Sequence, residues 1–393
     1  MTELKNTILG INISHDTSIA VVHNGELVDV FEEERCRRSK YWSPSADEEI
    51  RLQSIEQKIN VDSIDEVVFA SFDRRAYDYN VPTDLPFDRI RTREFRKDFT
   101  ETQTSRERLK ELAEKWEMEF NFWPNTDDQK ICDDIATSQL GLPKGEYYFK
   151  QDHHVHHAWC GFNLAPMEEA LIIVMDGGGC RKLWDEYPTH QEIESIYYGI
   201  KSNATHIEPL YQKLTNQRFI CDMSDKFPNE LDAFLHCPHP QLYIRDGVDY
   251  ELVSTPSMGM NFSNISQALG TDKLGRAAGK VMGMASYGHP LDNYYNRYNI
   301  AHQLELDSYE YTCELIRRAI KYKPDCKNII LSGGFSLNCT NNYKYLYTFP
   351  EYQIFVDPIP HDGGTAAGAA LQMYEEMRQG NNQYCKPSVW SDS

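Results

Sequence analysis

Apolar and polar positions along this chain switch between a period of two and a helical period, which predicts alternating strands and helices. The first thirty residues hold three β-rich runs, NTILGINIS, TSIAVVH and ELVDVF, the last two parted by Asn24-Gly25. Asn-Gly between such runs is the strongest short hairpin signal, so the sheet is expected to open antiparallel. An amphipathic helix is expected from Ala46 to Ile59, followed by strands in EVVFASF and EYYFK and a helix ending near Gly161. A second series opens at ALIIVMDGGG, where a continuous apolar run stops in a small-residue turn, as a fully buried strand does before a ligand loop. Beyond it a short strand is expected at Tyr197 to Ile200, and helices at Phe262 to Leu269 and Tyr309 to Lys321. The chain closes with a strand in NIILSGG, a helix in KYLYTF, a strand in QIFVDP and a helix in TAAGAALQMYEEM. Three strands, a helix, a strand and a helix thus occur twice. That repetition implies an α/β fold of two similar lobes, residues 1–165 and 166–380, facing each other across a cleft. A charged stretch at about 84–123 reads as an insertion in the first lobe, and 381–393 as a fraying tail.

Composition narrows the class. With 393 residues, 40% hydrophobic and 25% charged, the chain is long enough for a large buried core and is not disordered. No apolar run approaches the roughly 18–20 residues of a membrane helix. The start MTELKNTILG lacks the pattern of a secretory signal, so a cytoplasmic location is expected. The 60 acidic and 40 basic residues leave a net charge of −20, which disfavours a broad grip on a nucleic-acid backbone. A local patch of Arg89, Arg91, Arg93, Arg96 and Lys97 nevertheless keeps a polyanionic acceptor in view. The 10 cysteines form no C-x-x-C pair, so neither a zinc finger nor a disulfide framework is indicated.

Three loops rich in Gly, Ser or Asp follow strand ends: GINISHDTSIA, MDGGG and LSGGFSLN. Turns without side-chain bulk let backbone N–H groups approach an anion, so together the loops suggest a nucleotide cleft. In HHVHHA, His153 and His157 stand at i and i+4 and aim two imidazoles from one helical face at a common point. A divalent metal is implied, against the alternative of a surface or satisfied buried cluster. Asp362, in a Gly-rich loop opening a helix, is the leading third ligand; otherwise it is a helix N-cap. Lys280 in GKVMGMASYG suits a phosphate or the adenosine region, or merely belongs to a packing turn. The run EEERCRRSK, Glu32 to Lys40, sets acids and bases side by side after a strand.

Taken in order, GINISHDTSIA, EEERCRRSK, HHVHHA, MDGGG, GKVMGMASYG, LSGGFSLNC and HDGGTAAGAAL resemble the O-carbamoyltransferase family of nodulation protein U and the tobramycin- and cephamycin-tailoring enzymes. The resemblance runs from Ile8 to about Tyr374. It implies an actin- and hexokinase-like duplicated fold with a central nucleotide and metal cleft. In that family a carbamoyl-adenylate, made from carbamoyl phosphate and ATP, gives its carbamoyl group to an acceptor hydroxyl beside an iron ion. Carried over, the resemblance implies His153, His157 and Asp362 as ligands of a divalent metal, Fe(II). It puts the adenylate between Gly177, Gly178, Lys280, Gly333, Gly334 and Asn338, with Lys40 near the donor phosphate and His15 and Asp16 on the acceptor side. Because imidazole titrates near neutral pH, His15 is the first candidate for general base and His154 the second. Relatives continue into an adenylate-forming domain, so either a separate protein supplies the carbamoyl-adenylate, or this chain binds ATP and carbamoyl phosphate itself, or the reaction differs. Two other classes stay open, a non-catalytic nucleotide-binding partner subunit and an ATP-dependent kinase or ATPase of the same fold.

Overall fold

The computed structural model describes residues 6–44, 50–71, 126–150, 152–182, 190–215, 241–253, 255–271, 277–290 and 296–380. The expected insertion, its arginine cluster and the expected tail lie outside these residues. The first half runs β1 (Thr7–Asn12), β2 (Ser18–His23), β3 (Glu26–Glu32), α1 (Glu33–Arg37), α2 (Gln53–Lys58), β4 (Glu66–Ala70), α3 (Thr126–Gln139), β5 (Tyr148–Lys150) and α4 (His153–Leu164). The strands of the second half are β6 (Glu169–Met175), β7 (Arg181–Lys182), β8 (His190–Lys201), β9 (Thr205–Thr215), β10 (Gln241–Arg245), β11 (Val248–Val253), β12 (Asn328–Ser332) and β13 (Gln353–Val356). Its helices are α5 (Met258–Ala268), α6 (Ala278–Ala285), α7 (Arg297–Tyr322), α8 (Cys339–Thr348) and α9 (Gly364–Arg378).

The first sheet has the order β3-β2-β1-β4-β5, and the second contains β9-β8-β6-β12-β13. In each, the first three strands are antiparallel neighbours and the last three are parallel ones. The two halves therefore repeat one topology, the duplicated actin/hexokinase-like arrangement. The second sheet is widened by β11 and β10, while β7 pairs with β8. The closing helices cross over: α9, at the end of the second half, packs on β1, β2 and β4, and α4, at the end of the first, packs on β6 and β12. Residues Ile8, Val22, Val68, Ala369, Ala370 and Met373 form the first of these cores, and Ala158, Phe162, Ile172, Val174 and Ile330 the second. Where α4 meets α9, a Cβ on Gly368 would stand 1.8 Å from the carbonyl oxygen of His156, so the helices touch backbone to backbone.

The opening hairpin turns on Asn24 and Gly25 at φ 52° and 83°, the left-handed pair a two-residue turn requires. Asp246 and Gly247, at φ 52° and 81°, close β10–β11 the same way, although no hairpin was expected there. Residues 45–49 of the helix expected from Ala46 to Ile59 lie outside the described residues; from Ile50 on, the helix begins at Gln53. Buried Glu33 accepts the N–H groups of Gln53 and Ser54, so a distant carboxylate sets that start. The strand expected at Tyr197–Ile200 is the end of the twelve-residue β8, and the helix expected from Tyr309 begins at Arg297, capped by the Asn296 side chain.

Candidate metal centre

Four chain segments meet where the two halves join: the end of β1, the first turn of α4, the end of β6 and the loop entering α9. They are equivalent in pairs, since β1 corresponds to β6 and α4 to α9 in the repeated topology. The helices α4 and α9 both begin near this point, and helix N-termini favour carboxylates. His153 Nε2 lies 3.1 Å from Asp176 Oδ2, 3.2 Å from His157 Nε2 and 3.5 Å from Asp362 Oδ1. His157 Nε2 is 3.7 Å from Asp362 Oδ1. One ligand atom from each of these buried residues lies within 4.8 Å of all the others.

These separations suit a cation. Nitrogen and oxygen ligands about 2.1 Å from one centre stand about 3.0 Å apart along an octahedron edge and about 3.4 Å apart along a tetrahedron edge. Two imidazoles and two carboxylates form a borderline donor set suited to first-row divalent ions. Charge agrees with geometry. Burial disfavours the His153 cation, yet the Asp362 charge and the Asp176 hydrogen bond outweigh it and raise His153 to about 10. Burial and the Asp362 charge push Asp176 up, but its hydrogen bond to His153 and the charges of His153 and His157 win and hold it below the usual carboxylate range. Asp362 is likewise lowered against its burial, chiefly by the charges of His15 and His153. The cluster thus gathers anionic charge that needs protons or a metal.

The structure brings most, though not all, of the expected residues to this point. His15, half exposed, lies with Nε2 3.2 Å from Asp362 Oδ2 and Nδ1 3.1 Å from Asp16 Oδ2. Attraction to Asp362 raises it to about 9. Asn12 and Ser14 lock this loop: Asn12 Nδ2 donates to the Asp362 carbonyl, and the Ser14 hydroxyl donates to Asn12 Oδ1 and lies 3.4 Å from Asp362 Oδ2. The Gly334 N–H donates to Asp176 Oδ1, so the loop of Gly333 and Gly334 joins the loop of Gly177 and Gly178 through that carboxylate. Gly333, at φ 85°, crosses so close to Met175 that a Cβ would meet its carbonyl oxygen at 2.2 Å.

His154 is fully buried, its Nδ1 2.8 Å from the Ser195 hydroxyl, and burial lowers it to about 4. It backs the Gly179 backbone, where a Cβ would stand 2.6 Å from its Cδ2. His156 points into the core, with no partner for either ring nitrogen among the described residues. Asn338 is buried and used at both ends, capping α8 through Oδ1 and donating to Glu305 Oε2 at 3.1 Å. Lys280 is exposed and donates to the Thr271 carbonyl, while Lys40 is exposed over the Tyr41 ring. Asp176 was not among the expected ligands. Its signal was its place as the first polar residue after a buried strand, masked by the glycines that follow.

A sequence profile described as Carbamoyltransferase N-terminus matches residues 7–319 and 309–371. The chain belongs to the carbamoyltransferase family. It is 26% identical over 235 residues to the nodulation protein NolNO of Sinorhizobium fredii, an alignment spanning 58% of this chain and 31% of that protein. The nodulation protein NolO of Bradyrhizobium diazoefficiens is 26% identical, over 58% of this chain and 38% of its own length. The chain thus spans about a third of each. An uncharacterised Synechocystis protein is 23% identical across 98% of this chain and 60% of that protein. Among solved structures, full-length HypF in its phosphate- and nucleotide-bound form aligns at 13% identity and a TM-score of 0.47, over 96% of this chain and 57% of that one. No helix among the described residues is long and apolar enough to cross a membrane.

Proposed function

We propose that this chain acts in the cytoplasm as the transferase part of an O-carbamoyltransferase. It moves a carbamoyl group from carbamoyl-adenylate, made from carbamoyl phosphate and ATP, to a hydroxyl of a small molecule, sugar or hydroxylated nucleobase. The observation that carries the reading is the convergence of His153, His157, Asp176 and Asp362 within 4.8 Å, in a chain of this family.

His153, His157, Asp176 and Asp362 would hold a divalent cation, Fe(II) in this reading, which supplies Lewis acidity toward the oxygens of the donor. Asp16 holds the His15 ring through Nδ1 and so directs Nε2 toward the centre. His15 keeps its extra proton because of the Asp362 charge. Where that charge is neutralised, His15 falls toward the ordinary imidazole range and Nε2 can take the acceptor proton. The acceptor oxygen then bonds to the carbamoyl carbon, the bond from that carbon to the phosphate oxygen breaks, and AMP leaves. The backbone of Gly177, Gly178, Gly333 and Gly334, on the Asp176 side, is assigned to the adenylate. Lys40 and Lys280, both exposed cations, are assigned to its phosphate, whereas Asn338, spent in capping and on Glu305, is withdrawn from this set.

Incubating the protein with ATP, carbamoyl phosphate and Fe(II) or Mn(II), with and without synthetic carbamoyl-adenylate, and analysing by mass spectrometry tests the reading. AMP released from carbamoyl-adenylate with a carbamoylated acceptor supports it. ADP as sole nucleotide product would move the protein to the kinase class, and no turnover of either donor would leave it a binding subunit.

A further inference from the structure

A second feature adjoins the metal centre. A cavity of about 630 Å³ opens between the end of β3, α1, the last turn of α2 and the segment leading to Asp362. Val30, Phe31, Pro358 and Ile359 give it apolar walls. The acid among its lining residues, Glu32, is already engaged, since His361 Nε2 lies 2.9 Å from its Oε1 and Arg35 Nε 3.0 Å from its Oε2. Arg38 and Lys58, also in the wall and both exposed, have no ion-pair or hydrogen-bond partner among the described residues. In a chain of net charge −20, two cations with no acidic partner among the described residues, beside an apolar hollow, make a local anion site. The hollow also reaches the metal loop. His361, in the wall, directly precedes Asp362, and Gly363 packs tightly against the Glu32–His361 pair: a Cβ there would stand 2.5 Å from His361 Cε1 and 3.6 Å from Glu32 Oε1.

We propose that this cavity is an acceptor-recognition site for an oxyanion, a phosphate or carboxylate carried on a partly apolar body, seated on Arg38 and Lys58 so that the molecule's hydroxyl is held at the His361 end of the cavity, one residue along the chain from Asp362. The assignment rests on the carbamoyl-transfer reading and narrows its acceptor to anionic molecules. Guanidinium and ammonium donors supply charge-assisted hydrogen bonds to the oxyanion. The apolar wall excludes small inorganic anions as sufficient ligands, because most of the buried area would go unused.

Phenyl phosphate serves as probe and benzylamine as its cationic control, titrated into the full chain by calorimetry with and without Mn(II). The expected result is saturable binding of phenyl phosphate, none of benzylamine, and faster ³¹P relaxation of the bound probe when Mn(II) is present. Arg38→Asn with Lys58→Gln should weaken phenyl phosphate at least tenfold and leave Mn(II) affinity within twofold. Asn is chosen because residue 38 has φ 55°, and Lys58→Glu alone provides a second variant with the same expected direction. Equal affinity in the variants, equal binding of benzylamine, or a ³¹P signal indifferent to Mn(II) would overturn the proposal. Phenyl phosphate bound with the expected variant effects, in a protein that turns over no carbamoyl donor, would instead remove the transfer reading and keep the anion site.

Discussion

Replacing Gly368 by Ala tests whether the crossing of α4 and α9 sets the metal centre. A Cβ at residue 368 would lie 1.8 Å from the His156 carbonyl oxygen and 2.5 Å from its carbon, both backbone atoms that no rotamer change can move. To restore ordinary contact the helices must part by roughly 1.5 Å. Alanine in a helix interior gains about 1 kcal/mol over glycine, but forced overpacking costs about 1–3 kcal/mol, so the net loss is about 0–2 kcal/mol. The larger effect falls on the site, because His153 and His157 begin α4 and Asp362 leads into α9. Ligand atoms 3.5 and 3.7 Å apart across that junction cannot keep their spacing through such a shift. Metal affinity should fall by on the order of 10–100-fold, the scale seen when supports of a metal site are lost. Mn(II) calorimetry with thermal denaturation reads both effects. Gly279→Ala is the control, since nothing lies within 4 Å of a Cβ at that helical position. It should stabilise by up to about 1 kcal/mol and leave affinity unchanged. A Gly368→Ala protein that binds Mn(II) like the parent would refute the coupling.

Other outcomes follow from the buried charges. Because His153 is held protonated up to about 10, metal uptake at neutral pH should release at least one proton per ion, and affinity should rise with pH; calorimetry in buffers of different ionisation enthalpy measures this. The Glu32–His361 pair has a defined pH window. Glu32, lowered to about 2 chiefly by its hydrogen bond to His361, contributes stability above its ordinary 4.5 that is lost as pH falls through 2. His361 is pushed down by burial but raised overall by Glu32, so its share is complete below 6.5 and lost as pH rises through its elevated value. Glu32→Gln should therefore cost most between about pH 4.5 and 6.5, by about 1.5–3 kcal/mol in urea unfolding, with less difference once the pH has risen past the elevated His361 value. Burial holds His156 well below 6.5, so it stays neutral when folded while the unfolded chain takes up a proton, and stability falls as pH drops below 6.5. His156→Leu should remove that part of the acid sensitivity and stabilise by about 1–2 kcal/mol at pH 6, provided Leu fills the ring's volume. An unchanged or lower melting temperature would show that the ring nitrogens are satisfied in solution.

The parts of this structure governed by local rules were readable in the sequence. Asn24-Gly25 announced the first hairpin, and the unbroken apolar run before Asp176 announced a buried strand. The repeated order of elements foretold the duplicated sheets. What escaped depended on distant partners. The start of α2 is set by Glu33, twenty residues away, and no local pattern marks it. The strand β9 carries Pro209 and pairs with β8 through register shifts, which blur its alternation. At the site, spacing along one helix was enough to join His153 with His157, whereas Asp176 joins them only through the pairing of β6 beneath α4. The exchange of closing helices between sheets also lies beyond any local pattern, since it is a property of the packed cores.

The central claim is that four side chains from both halves hold one cation. Titration of metal-free protein with Mn(II), followed by calorimetry and electron paramagnetic resonance on the parent chain, Asp176→Asn and Asp362→Asn, tests it most directly. The account predicts one ion per parent chain and at least a hundredfold weaker binding in each variant, with both variants folded. No stoichiometric binding by the parent, or a variant that binds as tightly, would contradict it.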